Sequence, residues 1–249
     1  MTLNSVEITF FVPCYNEEPH IRQTLQTILD LMKEKPYSFE VLVVDDASSD
    51  ASAIIIEKFC RDNAGTPIVL HRNTVNRGLG YNYLHSADFA KGRYYMLVNG
   101  DNDIPQDALS GILDQLHKAD IIVPYVENQG DRPWIRQSLS HLFTFLVNIL
   151  AGHKLRYYNG PVIHLTETVK NLRPETMGFG YQAELLCRAL NQGYSYCEVS
   201  FRCVVKQKTH LAAFRLKNII SVLSSLGRIF NQRLRDANAR KTGPRIPVS

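Results

Sequence analysis

The feature that most constrains this chain is an alternation of buried-strand and amphipathic-helix patterns over its first hundred residues. EITFFVPCY is β-branched and aromatic up to Pro13, and HIRQTLQTILDLMKE follows it with Ile21, Leu25, Ile28, Leu29 and Met32 at helical spacing. YSFEVLVVDD, TPIVLHRN and RYYMLVNGDND repeat the strand pattern, and ASAIIIEKFCRDN and GLGYNYLHSADFAKG supply the helices between them. Such alternation predicts an α/β fold with a mostly parallel sheet and helices on both faces. PQDALSGILDQLHKAD and IIVPY extend it by a fourth helix and a fifth strand. Beyond Glu127 the pattern loosens: SLSHLFTFLVNILAG predicts a buried or interfacial helix, YNGPVIHL a short strand, GYQAELLCRALNQG a helix and YCEVSFRCVV a strand.

Three of the early strands run directly into polar clusters: Tyr15-Asn16-Glu17, Asp45-Asp46 and Asp101-Asn102-Asp103. The carboxyl ends of parallel strands form the ligand crevice of an open sheet, so these distant clusters are expected to meet in space. Two carboxylates at i and i+2 after a buried strand can both reach one hard divalent cation and leave coordination positions for water and phosphate. Mg2+ or Mn2+ carrying a diphosphate suits Asp101 and Asp103; turn formation and helix capping is the competing, purely structural use of the same residues. One acid of Asp45-Asp46 can accept from a nucleobase or ribose while the other holds the turn, and Asp50 or Ser49 is placed to cap the following helix. Pro13, Tyr15 and Glu17 offer a rigid turn, a ring to stack on a base and a ribose acceptor. Gly78-Leu79-Gly80 lacks the third glycine of a dinucleotide fingerprint, and the NRGLG turn from Asn76 to Gly80 reads as a phosphate-side loop opening a helix.

Charge divides the chain. Residues 1–201 carry 17 Lys and Arg against 23 Asp and Glu, whereas residues 202–249 carry 11 against one. A basic tail on an acidic body suits an anionic membrane surface or a phosphate-bearing substrate better than nucleic acid. The segment from Leu211 mixes Phe214, Leu216, Ile219, Ile220, Leu223 and Ile229 with Arg215, Lys217, Arg228, Arg233 and Arg235, the composition of a basic amphipathic helix. The expected organisation is a domain over 1–210, then a basic amphipathic helix and flexible tail over 211–249. A mean hydropathy of -0.17 excludes a multi-span membrane protein. Five scattered cysteines without metal spacing, and an N-terminus without signal-peptide character, predict a reduced, cytoplasmic protein peripheral to the membrane.

FFVPCYNEE, VLVVDDASSDAS, NRGLGYNYLHSADFAKGRYYMLVNGDND and GYQAELLCRAL followed by GYSYCEVSF resemble the family 2 inverting glycosyltransferases of GT-A fold. Within that family they are similar to the polyprenyl-phosphate sugar transferases of dolichol-phosphate mannosyltransferase type, from about residue 7 to residue 205. The resemblance implies a UDP-, GDP- or dTDP-sugar donor, with Pro13, Tyr15, Glu17, Asp45 and Asp46 at the nucleoside and Asp101 and Asp103 on the metal and diphosphate. It implies Arg136 and Ser140, one helical turn apart, at the phosphate of a lipid acceptor, and Glu184 as the candidate base for a hydroxyl acceptor. Arg132 is placed to assist. Three positions depart from the pattern: Pro105 replaces a third metal ligand, Val123-Pro124-Tyr125 replaces a Ser-Arg-Tyr, and Lys206-Gln207-Lys208-Thr209-His210 replaces a late basic motif. The acceptor is therefore read as a polyprenyl phosphate or related lipid, with a sugar hydroxyl of a glycan or glycolipid as the alternative. A catalytically weak nucleotide-sugar-binding protein is the reading from a different class.

Overall fold

A computed structural model of the chain describes residues 6–128, 134–204 and 216–242, without the side chains of 136, 216–219 and 236–242. Strands β1 (Ile8–Cys14), β2 (Phe39–Asp45), β3 (Ile68–Arg72) and β4 (Tyr94–Leu97) alternate with helices α1 (Ile21–Glu34), α2 (Ser52–Asp62) and α3 (Leu79–Ser86). Helix α4 (Gln106–Leu113), strand β5 (Ile121–Val126) and the long helix α5 (Trp134–Ala151) follow. The chain ends with β6 (Ile163–Leu165), α6 (Thr166–Asn171), α7 (Tyr181–Asn191), β7 (Tyr196–Phe201) and α8 (Leu216–Thr242).

All seven strands form one sheet in the order β3-β2-β1-β4-β6-β5-β7. β1 pairs in parallel with β2 and β4, and β5 with β7, whereas β6 runs antiparallel between β4 and β5. Side chains alternate across the pleat. Ile8, Phe10 and Val12 enter a core with the apolar stripe of α1 (Ile21, Leu25, Ile28, Met32) and with α2 and α4. Phe11 on the opposite face meets α3, α6 and α7 through Tyr83, Val169 and Leu185. Ile121 and Val123 pack under α5, α7 and α8 against Val147, Leu186 and Leu226. Each fully buried Leu, Ile or Phe contributes roughly 1.5–3 kcal/mol, which is why helices lie on both faces of a sheet whose central strands are apolar on both sides.

The reversed strand has a functional consequence. Because β6 is antiparallel, it begins at the edge where β4 and β5 end, so residues 157–161 reach the same rim as the carboxyl ends of the parallel strands. No helix of the described residues is long and apolar enough to cross a membrane. The segments 205–215 and 243–249, which include the Lys206–His210 stretch, the first residues of the expected basic helix and the end of the tail, lie outside the described residues.

His164 on β6 is 1% exposed, and its Nδ1 has no hydrogen-bond partner among the described residues. Burial pulls its imidazole down to about 3. The folded state holds this ring neutral while the unfolded chain takes up a proton near pH 6.5, so its contribution to stability is complete above that pH and declines toward about pH 3. Replacing His164 by Leu is expected to make the variant lose less stability than the parent between pH 7.5 and 4.5, by roughly 2–3 kcal/mol. Urea midpoints of both proteins at the two pH values measure the difference; parallel losses would show that this histidine is not held neutral.

Candidate functional site

At the carboxyl edge of the sheet lies a cavity of about 850 Å³ lined on one side by Pro13, Tyr15, Glu17 and Asp46, and at its centre by Asn99, Asp101 and Asp103. Tyr157, Asn159 and Gln182 complete its polar wall, while Leu79, Val126, Phe179 and Phe201 make it apolar elsewhere. The three polar clusters expected to meet in space do so. Of the pair Asp45-Asp46, however, only Asp46 lines the cavity. Asp45 is buried behind it, accepts the Ser48 amide at 3.3 Å and faces the Arg72 guanidinium at 3.7 Å.

The turns after the strands are built to a common plan. Asn16, Ala47 and Asn102, just beyond β1, β2 and β4, all have positive φ of 55°, 62° and 52°. Asparagine tolerates that region better than other residues with a side chain, and Ala47 holds it against its preference. Side chains from one turn hold the next. Ser48 Oγ accepts the Asn16 amide at 3.0 Å, and Asn16 Oδ1 accepts the Ser49 amide at 2.8 Å. Ser52 Oγ and Asp50 Oδ2 accept the amides of Glu17 and Glu18 at 2.9 and 3.1 Å. Asp50 Oδ1 also accepts the first helical amide of α2, from Ser52, at 3.0 Å, close to the capping expected of it. The serine-rich run after β2 thus fixes the turn that presents Tyr15 and Glu17.

The Asp101–Asp103 turn is held as firmly. Gly100 lies so close to β1 that a Cβ there would come within 2.5 Å of the Pro13 carbonyl oxygen, so no larger residue fits. Thr24 Oγ1 of α1 donates to the Gly100 carbonyl at 2.9 Å, Thr27 Oγ1 lies 3.3 Å from Asn102 Oδ1, and the Val204 amide donates to the Asp103 carbonyl at 2.8 Å. Asn99 Nδ2 stands 3.5 Å from both oxygens of Asp103. Among the described residues no group of three or more His, Cys, Asp or Glu side chains is arranged to hold a metal. Two hard carboxylates facing an open cavity nevertheless fit Mg2+ or Mn2+ that takes its remaining oxygens from diphosphate and water.

Asp46 shapes the wall. It accepts the Arg77 and Gly78 amides and Asn73 Nδ2 at 2.7–2.8 Å. Partial burial works to raise its carboxyl, but these donors together with Asn82 outweigh it and hold Asp46 below the usual carboxylate value. The Arg77 and Gly78 amides, read from sequence as part of a phosphate-side loop, therefore point at Asp46.

Of the four acceptor-side candidates, two have described side chains, and neither lines the cavity. Glu184 is 1% exposed and does not line the cavity. Its carboxylate takes Arg188 at 2.8 Å, Arg228 at 3.2 Å and the Glu175 amide at 2.9 Å. Ser140 is half-buried on α5 and is not among the cavity's lining residues. Arg132 and the side chain of Arg136 lie outside the described residues. Sequence reading also passed over Asn82, Asn99, Asn159 and Gln182. Gln182, two residues before Glu184 and bonded through Nε2 to the Gly160 carbonyl at 3.2 Å, lines the cavity together with Tyr181 of the same helix.

Comparison with known proteins places this geometry. The chain is 28% identical over 162 residues to a dodecaprenyl-phosphate galacturonate synthase of Rhizobium johnstonii, matching 63% of this chain and 46% of that one. It is 29% identical over 203 residues to a polyprenol monophosphomannose synthase of Mycolicibacterium smegmatis, matching 76% of this chain and 74% of that one. The chain thus spans about half, or less, of the first of these relatives, and about three quarters of the second. A solved structure of glucosyl-3-phosphoglycerate synthase from Mycobacterium tuberculosis, in complex with Mn2+, UDP and phosphoglyceric acid, shares the fold at a TM-score of 0.68 and 16% identity, covering 89% of this chain and 79% of that one. Structural neighbours of this kind are GT-A glycosyltransferases. The model of Glycosyl transferase family 2 matches residues 9–169, and the chain belongs to that family.

Proposed function

We propose that the protein is an inverting, divalent-metal-dependent glycosyltransferase that moves a sugar from a nucleotide-sugar donor to a polyprenyl phosphate. The observation that carries this reading is the meeting of Tyr15 and Glu17 with Asp101 and Asp103 in one cavity large enough for donor and acceptor head together. Relatives named for polyprenyl-phosphate sugar synthesis, and a structural neighbour that holds Mn2+ and UDP, support it.

Tyr15, half-exposed at the rim, offers its ring face to the base, and Glu17 accepts from the ribose. Asp46 keeps the 77–78 loop against that subsite. Asp101 and Asp103 would hold the metal, which when bound offsets charge on the departing nucleoside diphosphate as a Lewis acid. Displacement at the anomeric carbon develops oxocarbenium character, and attack from the opposite face inverts the configuration. Asn159, across the cavity, can take sugar hydroxyls, and Gln182 is placed toward the acceptor head.

The acceptor assignment follows from the use of the cavity's carboxylates, which among the described residues are Glu17, Asp46, Asp101 and Asp103, all assigned to the donor side. A sugar hydroxyl needs a carboxylate base within hydrogen-bond reach, but Glu184 is committed to two arginines away from the cavity. A phosphate monoester, whose second ionisation lies near pH 6, brings its own oxyanion. Lipid substrate also accounts for the outer surface. Leu142, Phe145 and Ile149 of α5 are exposed on one stripe, as are Ile220, Leu223, Phe230 and Leu234 of α8; the two helices pack together, and α8 lies in the strongly basic part of the chain. We propose that this face rests on an anionic bilayer, with Arg235, exposed on α8, at the head groups.

Thermal shifts with UDP-, GDP- and dTDP-sugars, with and without Mn2+, are expected to single out one nucleotide whose stabilisation requires the ion. Asp103→Asn should remove the ion-dependent part and lower transfer to polyprenyl phosphate by roughly 10²–10³-fold. Unchanged transfer would refute metal dependence, and transfer confined to hydroxyl acceptors would refute the acceptor.

In flotation with vesicles containing anionic lipid, the parent is expected to float and a Phe145→Asp, Leu223→Asp double variant to stay below. Equal flotation would remove α5 and α8 from the membrane contact.

A further inference from the structure

The acid that sequence offers as a base occupies a different kind of position. Glu184 sits in the first turn of α7, immediately after a segment that gives Phe179, Tyr181 and Gln182 to the cavity. Its Oε1 accepts Arg188 Nη2 and the Glu175 amide, and Arg188 Nη1 donates to the Arg173 carbonyl at 2.7 Å. Its Oε2 accepts Nε of Arg228 from α8, whose Nη1 is 2.9 Å from Ser224 Oγ. With Glu184 at 1% exposure, loss of either arginine leaves a buried carboxylate undercompensated, a costly state.

A second, independent contact joins the same segment to α8. A Cβ on Gly178 would collide with Ser221 Oγ, and one on Gly180 with Oγ and Cβ of the fully buried Ser225. α8 therefore lies directly on the backbone of residues 178–180. On the far side, Gly80 of α3 leaves equally little room against the Met177 carbonyl. The segment is an arch clamped between α3 and α8 and tied at its base by Glu184.

We infer that α8 is a strut of the cavity wall and that Arg228 is a positioning residue for the acceptor side of the site, acting through Glu184 on Phe179, Tyr181 and Gln182. This rests on the glycosyltransferase reading for its catalytic consequence, though not for the coupling itself. The nucleoside subsite is built from the turns after β1 and β2 and the Asp46 loop and meets the arch at Gly80, while α8 touches the arch directly at residues 178–180, so disturbance of α8 falls first on the acceptor side. A surface that draws α8 outward or presses it home would thereby change acceptor binding.

The test compares the full-length parent with Arg228→Ala, Arg228→Lys and Gly180→Ala by hydrogen–deuterium exchange and by steady-state kinetics with the preferred nucleotide-sugar and a short-chain polyprenyl phosphate. Arg228→Ala and Gly180→Ala are expected to speed exchange in residues 175–182 by roughly tenfold or more while strands β1 and β4 stay at the parent rate. Arg228→Ala should raise the acceptor KM by about tenfold and leave the donor KM within about twofold, and Arg228→Lys, which keeps the charge, should recover much of both effects. Parent-like exchange in 175–182 for Arg228→Ala, or equal rises in both KM values, would overturn the inference. Faster exchange in the variants of a parent that itself transfers sugar to no acceptor would uphold the coupling and overturn the function proposed above.

Discussion

The site depends on the parallel pairing of β1 with β2 on one side and β4 on the other. In-register parallel strands end at one edge, and the three turns beyond them carry the Tyr15–Glu17, Asp46 and Asp101–Asp103 groups to within one cavity. The approach is close enough that Gly100 touches the Pro13 carbonyl, which couples the central acidic turn to the turn presenting Tyr15 without an intervening side chain. Everything chemical about the site is arranged around that contact, including the serine and aspartate side chains that tie the first two turns together.

The two halves of the sheet serve different ends of the site. β3-β2-β1-β4 is the parallel half and supplies the groups suited to a nucleoside and diphosphate. β6-β5-β7 is joined to it by one reversed strand, and its rim supplies Tyr157, Asn159 and Phe201. Helices α5 and α8 pack on this second half, whereas α7 spans both halves through Leu185 and Leu186, so the arch over residues 177–182 lies where the halves meet, on the side proposed for the acceptor. A lipid phosphate approaching from a membrane would meet those helices first.

Much of this was legible in sequence because the underlying signals are local. The helical stripe of α1 and the apolar runs of β1 and β2 are dictated by period and β-branching, and the acids that follow them mark the crevice without knowledge of packing. What escaped were choices between neighbours. Asp45 and Asp46 are equivalent in sequence; strand pleat and the donors at Arg77 and Gly78 decide that Asp46 reaches the cavity and Asp45 is buried. Glu184 and Gln182 share a helix; Arg188 and the Glu175 amide, with Arg228 arriving from 44 residues away, make the glutamate a tie, while the glutamine faces the cavity. The reversal of β6 was equally hidden, since a three-residue strand carries no sign of its direction. Glycines 178 and 180 read as an ordinary loop until α8 is seen lying on them.

The central claim is that Asp101 and Asp103 grip one divalent ion together with a nucleoside diphosphate. Anomalous diffraction at the manganese edge from crystals grown with Mn2+ and the preferred nucleoside diphosphate measures this most directly. The account predicts a single peak within coordination distance of both carboxylates and of two diphosphate oxygens, at about 2.0–2.3 Å. Nucleotide bound in the cavity with no peak there, or a peak held by other residues, would contradict it.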